Sequence, residues 1–281
     1  MLDNHIIVGY GKWAKKIVKF LVKYRLTKSL IIIRKKKVFI HYPFYKKISL
    51  RTLNNDIKNY NSAHICSDNK THLRFFNLFT KYNLNFIVEK PLVNNLKEFN
   101  KLSKNKNSKF LVNYIDLFNT QISKVIKLIK INKNKQINLV YSNNAQKYKK
   151  KLELINVWLD HPLSIILFLF KRFSKFKIKR YSRKIDKNGN YKEIIEVFYK
   201  YKKNNFIFSI SNFEKKRRAI EIEISKKKST FNLDKNSHFT KTAFYNLYSN
   251  LKKIEDSKFR FNNQFHKKIL IEKNKILKSL R

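Results

Sequence analysis

At 281 residues, 43% of them hydrophobic, the chain is long enough to bury a real core and suits two moderate domains better than one or three. Its net charge of +47 is nearly all lysine, spread from Lys12 to Lys278 without forming one patch, and it comes with a surplus of Asn, Ile and Phe and only 3 Gly and 3 Pro. The charge therefore reads as compositional bias on solvated faces, not as a dedicated nucleic-acid surface, and the single cysteine, Cys66, excludes an intramolecular disulfide or a cysteine metal cage.

After Asp3 and Asn4 the chain enters an apolar strand with no basic leader and long hydrophobic run, so no export signal and a cytoplasmic location are expected. Short β-branched runs then alternate with helical patterns. Strands are predicted at Ile6 to Val8, Leu30 to Ile33, Ala63 to Cys66, Asn85 to Val88 and Phe110 to Tyr114. Between them fall helices at about Lys12 to Tyr24, Leu73 to Tyr82 and Asn95 to Ser103. Strands separated by helices of this length imply parallel crossovers and a doubly wound α/β sheet over residues 1–118.

From residue 119 to 281 the pattern changes. A linking helix near Thr120 to Ile131 leads into period-two stretches: QINLVYS, KFKIKRYSRK, YKEIIEVFYKYK, NFIFSISNF, AIEIEIS and STFNLD. These predict an α+β domain on an open, mostly antiparallel sheet, a surface for substrate and for oligomerisation. Asn188-Gly189 is a signal for a type I′ hairpin turn. The most apolar run, Ile165 to Phe170, lies between Asp160 and Lys171 and is too short to span a bilayer, so it reads as a core helix. Helical patterns around residues 242–254 and 262–280 close the chain, with Phe265, Ile269, Ile276 and Leu280 as packing positions, and the last helix can return to the first domain.

The segment IIVGYGKWAKKIVKFL places Gly9 and Gly11 directly after a strand and Ala14 at the third position of a GxGxxG/A pattern opening a helix. Gly9 permits a tight turn, the backbone at Tyr10 and Gly11 can approach a pyrophosphate, and Ala14 allows close helix packing. The N–H groups of Lys12 and Trp13 would face the anion at the positive end of the helix. The second strand runs into IIIRKKK, where Arg34 and Lys35 suit a 2′-phosphate, which favours NADP over NAD.

SDNKTHLRFFNLFTKYNLNFIVEKPLVNNLKEFNKL carries a loop with Ser67, Asn69 and His72, then a helix and a strand ending in Glu89-Lys90-Pro91. This stretch resembles the glucose-fructose oxidoreductase / inositol dehydrogenase family, Gfo/Idh/MocA, in which a T-P-N-x-x-H-like loop precedes an EKP motif. Asp68 stands where that family commonly has proline. FLVNYIDLFNTQI, with Tyr114 and Phe118, is similar to the following family strand, and the resemblance covers about residues 5–125.

The resemblance implies cofactor contacts at Ser67, Asn69, His72 and Glu89, a catalytic Lys90 and a substrate contact at Tyr114. Independently of it, a lysine at the carboxyl edge of such a sheet can hydrogen-bond a substrate hydroxyl and stabilise a developing oxyanion, while Glu89 can pair with Lys90 or touch the cofactor.

Family members use a histidine, often in a DxxxH arrangement, as the base. His161 in WLDHPLSIILFLF fits it, but the aspartate position then falls on Val157. Aligning Asp160 with that aspartate instead puts Ser164 at the histidine. Asp160 could hold the imidazole or bind substrate; alternatively Asp160 and His161 cap the helix beginning near Pro162. The remaining histidines lack metal-ligand spacing, so no metal is expected.

The implied function is NAD(P)-dependent oxidation of a CH–OH group, or reduction of the ketone, in a sugar, cyclitol or nucleotide-sugar-like molecule. No membrane span and no specific nucleic-acid partner are expected. A regulatory or inactive dinucleotide-binding protein is the main alternative and a nucleic-acid-binding protein a more distant one.

Overall fold

The computed structural model describes residues 2–24, 26–33, 45–47, 57–102, 110–131, 135–201, 204–233, 243, 245–248 and 263–281. These fall into two compact units, Met1–Asn113 with Tyr248–Lys267, and Tyr114–Leu247 with Lys268–Arg281.

In the first unit six strands form one parallel sheet: β1 (Leu2–Val8), β2 (Thr27–Ile33), β3 (Tyr45–Lys47), β4 (Ser62–Ile65), β5 (Asn85–Glu89) and β6 (Phe110–Asn113). Their order is β3-β2-β1-β4-β5-β6, a doubly wound arrangement in which the chain runs outward in both directions from β1. Parallel strands covered on both faces read as continuous apolar runs, not alternating ones. Ile6, Ile7, Ile32, Ala63, Ile65, Phe86, Ile87 and Val88 are accordingly all buried. Strand β3 had no expectation attached to it.

Helix α1 (Lys12–Lys23) forms because Ala14, Ile17, Val18 and Leu21 recur at helical spacing and bury one stripe against this sheet. Helix α2 (Asn69–Lys81) starts four residues before the predicted Leu73, so Asn69 and His72 lie on its first turn and not in a loop. Helix α3 is only Leu96–Phe99, shorter than the predicted Asn95 to Ser103; Asn95 caps it by accepting from the Glu98 N–H at 2.8 Å.

The second unit follows helix α4 (Thr120–Ile131) with β7 (Lys135–Ser142), α5 (Glu153–Trp158), α6 (Asp160–Phe170), β8 (Phe176–Ile185), β9 (Tyr191–Tyr201), β10 (Asn204–Ser211), β11 (Arg217–Ile224) and β12 (Lys227–Asn232). Helix α7 (Asn263–Ser279) runs from the first unit's residues into the second's. The sheet order is β12-β11-β7-β10-β9-β8, with β7 and β10 parallel and the other pairs antiparallel. Alternation is clearest in β7, where Ile137, Leu139 and Tyr141 are buried and Gln136, Asn138 and Val140 are half-buried. Edge strand β8 carries Lys177, Lys179, Arg180, Arg183 and Lys184, charges that discourage pairing with another chain.

Two local expectations change. The β8–β9 turn is not type I′: only Gly189 has positive φ (69°), and Asp186 accepts from the Gly189 N–H while donating to the Asn190 carbonyl. Asp186 Oδ1 also accepts from the Asn188 and Asn190 N–H groups, so this aspartate sets a three-residue turn with glycine at its left-handed position. Glu153–Phe170 has the length and apolarity of a membrane span, but Leu159 separates α5 from α6 and 56% of the stretch is buried. Leu163, Ile165, Ile166 and Leu167 form a core face, each worth roughly 1.5–3 kcal/mol of burial.

Candidate active site

The turn after β1 lies at the switch point between β1 and β4. Gly9 has φ +92°, and its N–H donates to the Ile33 carbonyl at 2.7 Å. A β-carbon here would lie 2.8–2.9 Å from Cys66 and Ser67 backbone atoms, so only glycine fits. Gly11 is different: it occupies the N-cap of α1 in extended conformation, and a β-carbon on it would meet nothing within 4 Å. No side chain caps this helix and its first turn holds no acidic residue, which leaves its positive end to an external anion. Ala14, fully buried, brings the helix close to the sheet.

A cavity of about 430 Å³ opens at this turn, lined by Gly9, Tyr10, Gly11, Ser67, Thr71 and Arg74 among others. Its size and position suit part of a dinucleotide. Arg74 was not anticipated; Thr71, Arg74 and Phe75 stand at i, i+3 and i+4 of α2, the spacing that puts all three on one face. Arg34 and Lys35 lie outside the described residues.

At the end of β5, Glu89 Oε1 accepts from Trp13 Nε1 at 2.6 Å, Asn113 Nδ2 at 2.6 Å and His64 Nε2 at 2.9 Å. His64 presents its other nitrogen to the Tyr248 hydroxyl at 2.8 Å. The carboxylate requires the proton on His64 Nε2, which leaves Nδ1 to accept from Tyr248. Glu89 thus joins α1, β4 and β6 beneath the loop. His64, Cys66 and Glu89 place possible ligand atoms within 4.8 Å of one another. Those of His64 and Glu89 are engaged in this network, and burial, then the Glu89 charge, pushes the Cys66 thiol well above its usual range. The three side chains thus meet in one part-buried, hydrogen-bonded junction.

His72 is fully buried, with Nε2 on the Ser67 carbonyl (2.9 Å) and Nδ1 on the Pro91 carbonyl (2.8 Å). Expected to touch cofactor, it clips the turn after β4 to the turn after β5 instead. Ser67 and Thr71 join through their hydroxyls at 2.6 Å, Asn69 is exposed, and half-buried Lys90 precedes Pro91 through a cis peptide bond.

In the second unit, His161 Nδ1 lies 2.7 Å from Asp116 Oδ2, on the short helical turn Ile115–Phe118. Asp116 is 3% exposed and His161 is 14% exposed. The same carboxylate accepts from the Tyr141 hydroxyl at 3.1 Å and from the Arg218 guanidinium. Tyr141 and Trp158 pack against the imidazole with ring centroids 5.5 and 5.6 Å away, and Trp158 Nε1 donates to Gln146 at 2.9 Å.

The sequence matches no protein-family model and no curated protein. The fold does have solved counterparts. A Gfo/Idh/MocA family oxidoreductase from Vibrio cholerae superposes with TM-score 0.73 at 13% identity over 100% of this chain and 99% of its own. A myo-inositol dehydrogenase from Corynebacterium glutamicum gives 0.75 at 12% identity, covering 99% and 96%. The WlbA (WbpB) dehydrogenase from Thermus thermophilus, in complex with NAD and UDP-GlcNAcA, gives 0.68 at 12%, covering 97% and 95%. The chain has the Gfo/Idh/MocA fold.

Asp160 is 2% exposed and ion-paired with Lys273 at 3.1 Å, while His161 Nδ1 meets Asp116. Asp160 and His161 do not cap α6, whose N-cap position is Leu159 with no side-chain cap. Tyr114 is 2% exposed, and burial followed by the nearby Asp160 charge pushes its hydroxyl well up. Its expected place against substrate thus gives way to a core position. Asp116 lies within FLVNYIDLFNTQI, where no spacing singles it out, and no short-range signal points to Arg218.

Proposed function

We propose that the chain is an NAD(P)-dependent oxidoreductase moving a hydride between nicotinamide and a carbinol or ketone carbon of a sugar, cyclitol or nucleotide-sugar-like substrate. The observation that carries this reading is the uncapped α1 N-terminus with Gly9 and Gly11 at the switch point of the parallel sheet, facing a cavity of about 430 Å³. The cofactor, when bound, supplies the hydride acceptor or donor. Tyr10, Gly11, Lys12 and Trp13 offer backbone N–H groups to its phosphates, Ser67, Thr71 and Arg74 line the same cavity, and Asn69 is the first residue of α2 after that loop. Arg34 and Lys35, by sequence, favour NADP.

In this reading Lys90 hydrogen-bonds the substrate oxygen and favours the charge that develops on it, and His161 accepts the hydroxyl proton. Glu89 and His72 position the loops and do not touch substrate. The substrate class is taken from the fold's inositol and UDP-sugar dehydrogenases. A cytoplasmic location fits this reading, and the open sheet of the second unit offers a surface for self-association.

A non-catalytic dinucleotide-binding protein is the second reading, favoured by Val157 at the expected aspartate position and by the engagement of Asp160 with Lys273. Reduced-nicotinamide absorbance, followed with NAD or NADP against myo-inositol, UDP-sugars and other polyols, separates the two. Turnover that falls at least about 100-fold in both Lys90→Met and His161→Ala supports the enzyme. Cofactor binding without turnover on any of these, and with no effect of either variant, supports the second reading.

A further inference from the structure

Asp116 collects three donors from three elements: His161 of α6, Tyr141 of β7 and Arg218 of β11. Its oxygens divide the work. Oδ1 receives Arg218, and Oδ2 receives His161 Nδ1 and the Tyr141 hydroxyl. Arginine keeps its positive charge at any working pH, so the carboxylate beside it is held ionised. An ionised carboxylate only accepts hydrogen bonds, so the imidazole nitrogen 2.7 Å away must carry a proton. Neutral His161 then has its proton on Nδ1 and its basic lone pair on Nε2. Tyr141, stacked at 28°, and Trp158 hold the plane of the ring.

We infer that Asp116 is the positioning residue that fixes His161 in the Nδ1–H tautomer and makes Nε2 the nitrogen that accepts the substrate proton. The inference rests on the proposed role of His161 as base. In the oxidative direction the substrate O–H bond breaks and its proton goes to Nε2. The electron pair left on oxygen forms the carbonyl as the C–H hydride passes to oxidised nicotinamide. The resulting imidazolium keeps its Nδ1–H on Asp116, whose negative charge stabilises it. Arg218 also acts on the tautomer by occupying the oxygen that His161 does not use.

This arrangement makes Asp116→Asn informative. The amide has one oxygen, and the guanidinium is the strongest donor present. With that oxygen turned to Arg218, the amide NH2 faces His161, Nδ1 must accept, and the ring proton moves to Nε2. Asp116→Glu keeps the anion and should keep the Nδ1–H form.

The test is a two-bond 1H–15N correlation spectrum of the full chain, ring-labelled in histidine, on wild type, Asp116→Asn and Asp116→Glu, with His161→Ala to assign the signal. The expected result is the Nδ1–H pattern in wild type and Asp116→Glu and the Nε2–H pattern in Asp116→Asn. A wild-type ring in the Nε2–H form overturns the inference, whether or not the variants fold. So does an Asp116→Asn ring unchanged from wild type. With an active substrate in hand, Asp116→Asn should also lower kcat by about 10²- to 10⁴-fold at unchanged cofactor affinity. Full turnover in His161→Ala would remove His161 as the base, and with it the use of the tether, while the spectrum reports the tether separately.

Discussion

A β-carbon on Gly9 would stand 2.8 Å from the carbonyl oxygen of Cys66. The ends of β1 and β4 therefore approach as closely as glycine allows, and the mouth of the cavity exists because of it. Gly9→Ala must bear both this contact and a φ of +92°, a conformation costing on the order of 1–3 kcal/mol for other residues. Urea denaturation should show a loss of at least about 1 kcal/mol. Gly11→Ala, with φ −73° and open space around the new carbon, should stay within about 0.5 kcal/mol of wild type. Equal losses in the two variants would contradict the geometry.

The Asp160–Lys273 pair is nearly solvent-free, with side chains 2% and 7% exposed. Removing one partner leaves a buried charge, so Lys273→Met should cost about 3–5 kcal/mol. Asp160→Leu with Lys273→Met removes both charges and should recover most of that loss. Thermal unfolding of the three proteins measures it; a double variant as unstable as the single would mean the side chains matter for shape and not for charge.

Two buried groups give opposite pH dependence. Burial, then His64, holds His5 well below the usual histidine range, so it is neutral in the fold and protonates on unfolding below about pH 6.5. Its contribution is complete above that pH and declines as pH falls. Glu193 has its carboxyl raised by burial, opposed by the Leu152 N–H that donates to it at 2.8 Å. Its contribution is complete below the unfolded value of about 4.3 and is lost as pH rises through the raised folded value. Plots of Tm against pH should therefore lose part of their acid-side fall in His5→Gln and part of their decline above about pH 4.3 in Glu193→Gln. Unchanged slopes would show that these groups titrate alike in the folded and unfolded chain.

Glu89→Ala would leave the N–H groups of Trp13, His64 and Asn113 without their shared acceptor. Losing buried partners costs about 1–3 kcal/mol for each group, moderated here by the 17% exposure of Glu89. A loss of about 2–4 kcal/mol is expected by urea denaturation. A loss below about 0.5 kcal/mol would show that water replaces the carboxylate readily.

Local patterns carried much of this fold and a smaller part of the site. Ile6–Val8, Leu30–Ile33 and Asn85–Val88 were legible because parallel strands buried on both faces leave unbroken apolar runs, and Gly9 was legible because so few glycines occur at all. The Asp116–His161, Asp116–Arg218 and Asp160–Lys273 pairs span 45, 102 and 113 residues. Such pairs depend on which strands become neighbours, and spacing along the chain carries no trace of that. The type I′ expectation at Asn188-Gly189 failed for a local reason: Asp186 can bond its own turn and favours a longer loop.

A dinucleotide site is proposed at the N-terminus of α1. It is tested most directly by titrating the protein with NADH and NADPH, following nicotinamide fluorescence, at salt high enough to suppress nonspecific attraction of anions to a chain of net charge +47. Saturable binding is expected in wild type and its loss in Gly11→Asp, where a carboxylate fills open space at the helix end. Absence of saturable binding of either cofactor to wild type, or equal binding to folded Gly11→Asp, would contradict it.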